Sequence, residues 1–164
     1  MLLRNIVISI VIIISAGCSS SKIITGDPAT AKMVLLPPSY SEGTNVNVVN
    51  ECLMLQEVKS SFLTYSNSYS ANSVASNEAS KIRTDQFSIK LQFENVASNA
   101  FSIHSFRPIS EATLVVSVMK NGDLVDKVSK NINSKMAFTA CGRLEKIAKT
   151  SGKYAAKWLR KKGY

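Results

Sequence analysis

Three cysteines, a single histidine and a crowded set of lysines and arginines near the carboxyl end are the residues of this 164-residue chain whose types and spacing could do chemistry. Cys18 closes Ser15-Ala16-Gly17-Cys18, directly after the largely apolar run Ile6 to Ala16 and the lone basic residue Arg4. Small residues ahead of a cysteine at the end of a short apolar core are the pattern of a bacterial lipobox, whose thiol takes a diacylglycerol. The run is shorter than the roughly 20 residues a spanning helix needs. Residues 1–17 therefore read as a cleaved signal peptide and Cys18 as the lipidated first residue. Each acyl methylene, palmitate included, contributes about 0.8 kcal/mol of membrane affinity, so several chains on one cysteine would anchor it durably. Ser19 stands where an Asp would signal retention in the inner membrane, so the expected location is the outer membrane, facing the periplasm.

Cys52 and Cys141 remain, and an exported chain folds in an oxidising compartment where such a pair usually bonds. Two free thiols or a metal pair are the alternatives. Zinc needs further ligands that a chain with only His104 does not obviously supply, so no metal or cofactor is expected. His104 lies between Ser102 and Ser105, but no Gly-x-Ser-x-Gly turn is present to present a nucleophile. Asp123 and Asp126 flank a turn, where Asp is common for conformational reasons, and do not argue for a glycosidase pair. Seven scattered glycines form no phosphate or dinucleotide loop. The expectation is that the protein is not an enzyme.

The formal charge of +9 is unevenly spread. Residues 141–164 hold Arg143, Lys146, Lys149, Lys153, Lys157, Arg160, Lys161 and Lys162 against Glu145 alone, and the rest of the chain is nearly neutral without its signal. Lys146, Lys149, Lys153, Lys157 and Arg160 fall on or beside the outward face of a terminal helix. They could meet an anionic partner such as peptidoglycan or lipopolysaccharide, or simply be solvated. Export and poor interleaving of basic with aromatic residues argue against nucleic acid.

The elements that must position these groups follow from periodicity. Residues 18–31 mix small, polar and turn-forming types, as a flexible tether does, and a single domain is expected over 32–164. Lys32–Leu36 and Val46–Val49 are short apolar segments, at least one of which should be a strand. Asn50 is a candidate N-cap for a helix over 51–66, with Leu55, Val58, Phe62 and Tyr65 on one face. The Ser- and Asn-rich residues 64–80 read as a surface loop. Phe87, Ile89, Leu91 and Phe93 alternate with polar residues and predict a strand, and Asn121-Gly122 between two apolar runs predicts a tight hairpin. Thr139 can cap a long helix whose inner face holds Leu144, Ile147, Ala148, Ser151, Tyr154, Ala155, Trp158 and Leu159, with Gly152 a local weak point. The order is strand, helix, three strands, helix: an α+β domain in which an antiparallel sheet of three to four strands carries two helices on one face. Cys52 and Cys141 would then staple the two helix starts together.

Glu51-Cys52 opening a helix, the Asn-Gly hairpin, Cys141 some ninety residues on, and Ala155-Ala156-Lys157-Trp158-Leu159 resemble small proteobacterial outer-membrane lipoproteins of unknown function. The layout is also similar to the amino-terminal domain of TolB and other small α/β envelope lipoproteins. The resemblance implies a non-enzymatic structural or accessory subunit of a cell-envelope assembly, with a protein partner. The alternative is a module that binds anionic envelope polymers.

Overall fold

The computed structural model describes residues 30–77, 82–98, 108–135 and 137–164. The signal segment, Cys18, nearly all of the tether, and Ser102, His104 and Ser105 lie outside the described residues. In chain order the elements are β1 (Met33–Leu35), β2 (Ser39–Tyr40), α1 (Val46–Glu51), α2 (Met54–Ser68), β3 (Ser73–Ala75), β4 (Phe87–Ser98), β5 (Ser110–Lys120), β6 (Asp123–Ser134) and α3 (Ala140–Lys162).

The α+β class is as expected, but the sheet is larger and is not purely antiparallel. Its order is β3-β1-β4-β5-β6, with β2 also paired to β4. β4, β5 and β6 form an antiparallel meander in which Val116 stands opposite both Leu91 and Val128. β1 lies between β3 and β4 and runs parallel to both. The reason is the connection: after β1 the chain crosses over through α1 and α2 before returning as β3, and a helical crossover delivers the next strand parallel. Three residues, Ser73, Val74 and Ala75, suffice for that strand, too few to show a period in a Ser- and Asn-rich run.

That run is accordingly structured over part of its length. Asn67 near the end of α2 accepts from Ser73 N at 2.8 Å and donates from Nδ2 to Ser73 O at 3.0 Å, so one side chain completes the hydrogen bonding of an edge strand. Ser70 and Asn72 take positive φ of 61° and 43° to make the turn.

The first helix also differs from expectation. Val46–Val49 is helical, within α1, which Asn45 caps by accepting from Asn47 N at 2.9 Å; Asn50 lies inside this helix and does not cap the expected one over 51–66, which begins at Met54 with Leu53 at its N-cap position and no side-chain cap bond. The helix stops at Cys52, which is extended (φ −103°, ψ 135°), and α2 begins afresh at Met54. The hairpin is as predicted: Asn121 and Gly122 both have positive φ, 54° and 88°, the pair of angles a type I′ turn requires. Thr139 Oγ1 caps α3 by accepting from Gly142 N at 3.0 Å, and Gly163 ends it in the left-handed conformation.

Met33, Leu35, Ile89, Leu91, Phe93, Leu114, Val116 and Val118 from the sheet are buried with Met54, Val58, Phe62 and Leu63 of α2 and Leu144, Ile147, Ala148, Ala155 and Leu159 of α3. Tyr154 and Trp158, expected inside, are only half-buried at the margin of this cluster. Ala148, Ser151, Gly152, Ala155 and Ala156 form a fully buried small-residue stripe. Gly152 is not a weak point but the place where the helices touch: a Cβ there would lie 2.6 Å from Phe62 N and 2.7 Å from Val58 O. Both obstacles are backbone atoms, which cannot rotate away. Gly152→Ala is therefore expected to lower stability by about 2 kcal/mol, even though Ala favours a helix over Gly by about 1 kcal/mol. Urea unfolding of the oxidised protein checks this; an Ala variant as stable as the parent would show that the two helices can separate freely.

Candidate functional site

Two faces that could engage a protein or polymer partner are the outward side of α3 and the end of the domain that carries the disulfide. Along α3, Lys146, Lys149, Lys153, Lys157 and Arg160 are all exposed, at three- and four-residue spacing on one side. Three of them reach back to α2 or to Tyr69 at its C-cap. Lys149 Nζ lies 3.5 Å from Glu57 Oε2, Lys153 Nζ stands 5.0 Å over the Tyr65 ring, and the Arg160 guanidinium is 4.9 Å from the Tyr69 ring. Between the helices runs an open groove of about 380 Å³ whose lining includes Glu57, Ser61, Tyr65, Lys149 and Lys153. Ser61 Oγ donates to Lys149 O at 2.7 Å and so ties the groove's two walls. The acceptors on α2 were the missed part of this face. Tyr65 and Tyr69 sit four residues apart, a spacing that places both on one helix side, but a sequence does not show which helix lies opposite.

Arg143, one of the charges of the basic terminal segment, belongs to the interior. It is 1% exposed and donates from Nε to Ser110 Oγ at 3.0 Å and from Nη1 to Ala137 O at 3.0 Å and Phe138 O at 3.3 Å. It ties the first turn of α3 to the start of β5 and to the incoming loop. Nothing in a basic, amphipathic segment distinguishes one buried arginine from its exposed neighbours.

At this end Cys52 and Cys141 are disulfide-bonded, with Cα atoms 5.0 Å apart. Cys141 is in the first turn of α3, as expected, whereas Cys52 sits at the break between α1 and α2 and not inside a helix. In the segments that flank the bonded cysteines several apolar side chains are left in solvent: Val46, Val49 and Leu53 of the α1 region, and Phe138, which is fully exposed. Large apolar side chains left in solvent in this way are candidates for contact with a partner.

Asp123 and Asp126, dismissed as catalytic, lie at the opposite end of the domain. Asp126 Oδ2 is 3.0 Å from Lys162 Nζ, and this hydrogen-bonded cation, helped by the Lys127 N–H at 2.8 Å, holds the Asp126 carboxyl below the usual aspartate range. Partial burial, with the Asp126 charge adding to it, raises the nearby Tyr164 hydroxyl. Among the described residues no group of three or more His, Cys, Asp or Glu is placed to hold a metal ion. Among them, too, no helix is long and apolar enough to cross a membrane.

No protein-family model matches the chain, and no curated protein matches it. Solved structures do. A Xanthomonas campestris protein of family DUF330 superposes with a TM-score of 0.54 at 12% identity, over 83% of this chain and 89% of its own. A hypothetical protein from Chlamydia trachomatis superposes with a TM-score of 0.53 at 8% identity, over 79% of this chain and 95% of its own. The fold is thus shared with these domains over most of the chain. A minor lipoprotein from Acinetobacter baumannii also matches, with a TM-score of 0.43 at 7% identity, over 79% of this chain and 90% of its own.

The Asp126–Lys162 pair gives a pH signature. A carboxyl whose folded pKa is depressed adds stability above its unfolded value and loses it as pH falls through the folded one. The destabilisation caused by Lys162→Met is expected to be present at neutral pH and to be lost as pH falls below the ordinary aspartate value near 3.9 and through the depressed folded value of Asp126. Melting temperatures of the two proteins across that range test it; a gap that persists unchanged in acid would show that the pair's charge contributes nothing.

Proposed function

We propose that the protein is a non-enzymatic lipoprotein, anchored through Cys18 in the outer membrane and facing the periplasm, that serves as a structural or accessory subunit of a cell-envelope assembly. The observation that carries this reading is the exposure of apolar Val46, Val49, Leu53 and Phe138 in the segments that flank the bonded Cys52 and Cys141. A fully exposed phenylalanine beside a covalently stapled helix junction is a rigid anchor of the sort that docks into a protein pocket. The lipobox supplies the membrane end of the same arrangement, and the partner is an envelope protein with a complementary apolar surface. The sequence resemblance to small envelope lipoproteins, with a layout like that of the TolB amino-terminal domain, agrees with a docking role.

A second reading, binding of peptidoglycan or lipopolysaccharide through Lys146, Lys149, Lys153, Lys157 and Arg160, is supported by their exposure on one side of α3. It is weakened by the engagement of Lys149, Lys153 and Arg160 with Glu57, Tyr65 and Tyr69, contacts that an anionic polymer would have to displace or share.

The two readings separate by experiment. A photo-crosslinking residue at position 138 is expected to capture one defined envelope protein in living cells, while the same group at Ser129, exposed on the far side of the sheet, captures none. Equal or absent capture at the two positions would sink the docking surface. Under the second reading, joint Lys149→Glu, Lys153→Glu and Lys157→Glu substitutions abolish salt-sensitive retention on peptidoglycan or lipopolysaccharide; under the first they leave retention as it was.

A further inference from the structure

The domain has two chemically different ends, and the chain from Cys18 enters at one of them. β1 begins where β3 and β4 begin and where β5 ends, because Met33 pairs with Ser73 and Phe87, and Phe87 pairs with Lys120. The tip of the Asn121-Gly122 hairpin and the last turn of α3 lie there as well, since Lys162 reaches Asp126 and Tyr164 stacks edge-on against Phe87 at 5.1 Å. The point of arrival is fastened. Asn72 Nδ2 donates to Thr30 O at 2.9 Å, the Lys32 N–H donates to Asn72 O at 3.1 Å, and the buried Gln86 donates from Nε2 to Ala31 O at 2.7 Å. Twelve positions separate Cys18 from Thr30, a reach of at most about 40 Å.

This end is basic. It carries Lys32, Lys120, Lys127, Arg160, Lys161 and Lys162, while two of its acids, Asp85 and Asp126, are already paired with Arg83 and Lys162, leaving Asp123. Between the cations of the hairpin, Leu124 and Val125 are 59% and 51% exposed. The disulfide end holds more of the acids, Glu42, Glu51, Glu94, Glu111 and Glu145, against Lys130, Lys135, Lys146 and the interior Arg143. A surface that combines several lysines with two adjacent exposed aliphatic side chains suits the interface of an anionic bilayer, where cations meet headgroup phosphates and the aliphatic pair sits at the acyl boundary.

We infer that the hairpin end, through Lys120, Lys127, Lys161, Leu124 and Val125, docks directly on an anionic phospholipid membrane. Contact of this kind orients the domain so that the disulfide end and its apolar group point away from the bilayer. It is a protein–lipid contact separate from the acyl anchor, and it adjoins the basic side of α3 only at Arg160. The inference depends on the exported-lipoprotein reading only for which membrane is met.

The test uses residues 18–164, which include every described element, with Cys18→Ser so that no acyl chain contributes. This protein is expected to co-sediment with vesicles of phosphatidylethanolamine and phosphatidylglycerol, to be released by high salt, and to ignore vesicles of phosphatidylcholine alone. A basic residue near an anionic surface contributes about a fivefold factor. Joint Lys120→Glu, Lys127→Glu and Lys161→Glu is therefore expected to weaken binding by about a hundredfold or more, and Leu124→Ser with Val125→Ser by several-fold. Joint Lys149→Glu, Lys153→Glu and Lys157→Glu should weaken it far less than the hairpin-end triple. Unchanged circular-dichroism melting of each variant separates lost contact from lost fold. Failure of the parent to bind anionic vesicles, equal binding to phosphatidylcholine, or a larger loss from the α3 substitutions than from the hairpin-end substitutions would overturn the inference. Intact-mass analysis of membrane-bound Cys18 reports on the acyl anchor independently, so the two ideas fail separately.

Discussion

At Gly152 the backbone of α3 approaches that of α2 so closely that one methyl group would fall 2.6 Å from Phe62 N, and the rest of the domain is arranged around that approach. Small residues at 148, 151, 152, 155 and 156 let the two helices lie side by side on the sheet, so both can send large residues, Phe62, Leu144, Ile147 and Leu159 among them, into one core. Bulkier residues along that stripe would push the helices apart and open the core beneath them. The same approach is what brings Lys149, Lys153 and Arg160 within reach of Glu57, Tyr65 and Tyr69. The charged groove is thus a by-product of small-residue packing.

Two further ties act at the ends of the paired helices. The Cys52–Cys141 bond and buried Arg143 fix the start of α3 to the α1–α2 break, to β5 and to the loop before it. At the other end, the Lys162–Asp126 pair and the Phe87–Tyr164 contact fasten the last turn of α3 to the meander. A covalent staple and a hydrogen-bonded interior cation make the disulfide end rigid, which suits a surface that presents exposed apolar groups. The opposite end is held in part by a partly exposed ion pair, which salt and acid both weaken.

Much of the architecture was legible in the chain because its signals are local. The alternation at Phe87–Phe93 follows from the two-residue period of a strand. The hairpin follows from the positive φ that Asn121-Gly122 tolerates, and the long terminal helix from Thr139 and a continuous apolar face. The elements that were missed lack any such local signal. Three residues of β3 are too few for a period, and their hydrogen bonds come from the side chain of Asn67 and from β1. The helix over 46–51 carries apolar residues at 46, 48 and 49 that a short strand would also carry.

The sequence by itself determined the lipobox pattern, the α+β class, the antiparallel meander and the pairing partners available to two cysteines, because each depends on residue type and near-neighbour spacing. Only the tertiary structure decided that β1 runs parallel between β3 and β4, that Gly152 is a contact and not a flaw, and that Arg143 is interior while its basic neighbours are not. It alone separated a basic end, where the chain from Cys18 arrives, from the disulfide end bearing exposed Phe138. The reason is that these properties belong to pairs of segments tens of residues apart. Which groups share an end, or which side of a helix is covered, is set by how strands align and helices cross, and no single stretch of chain contains that information.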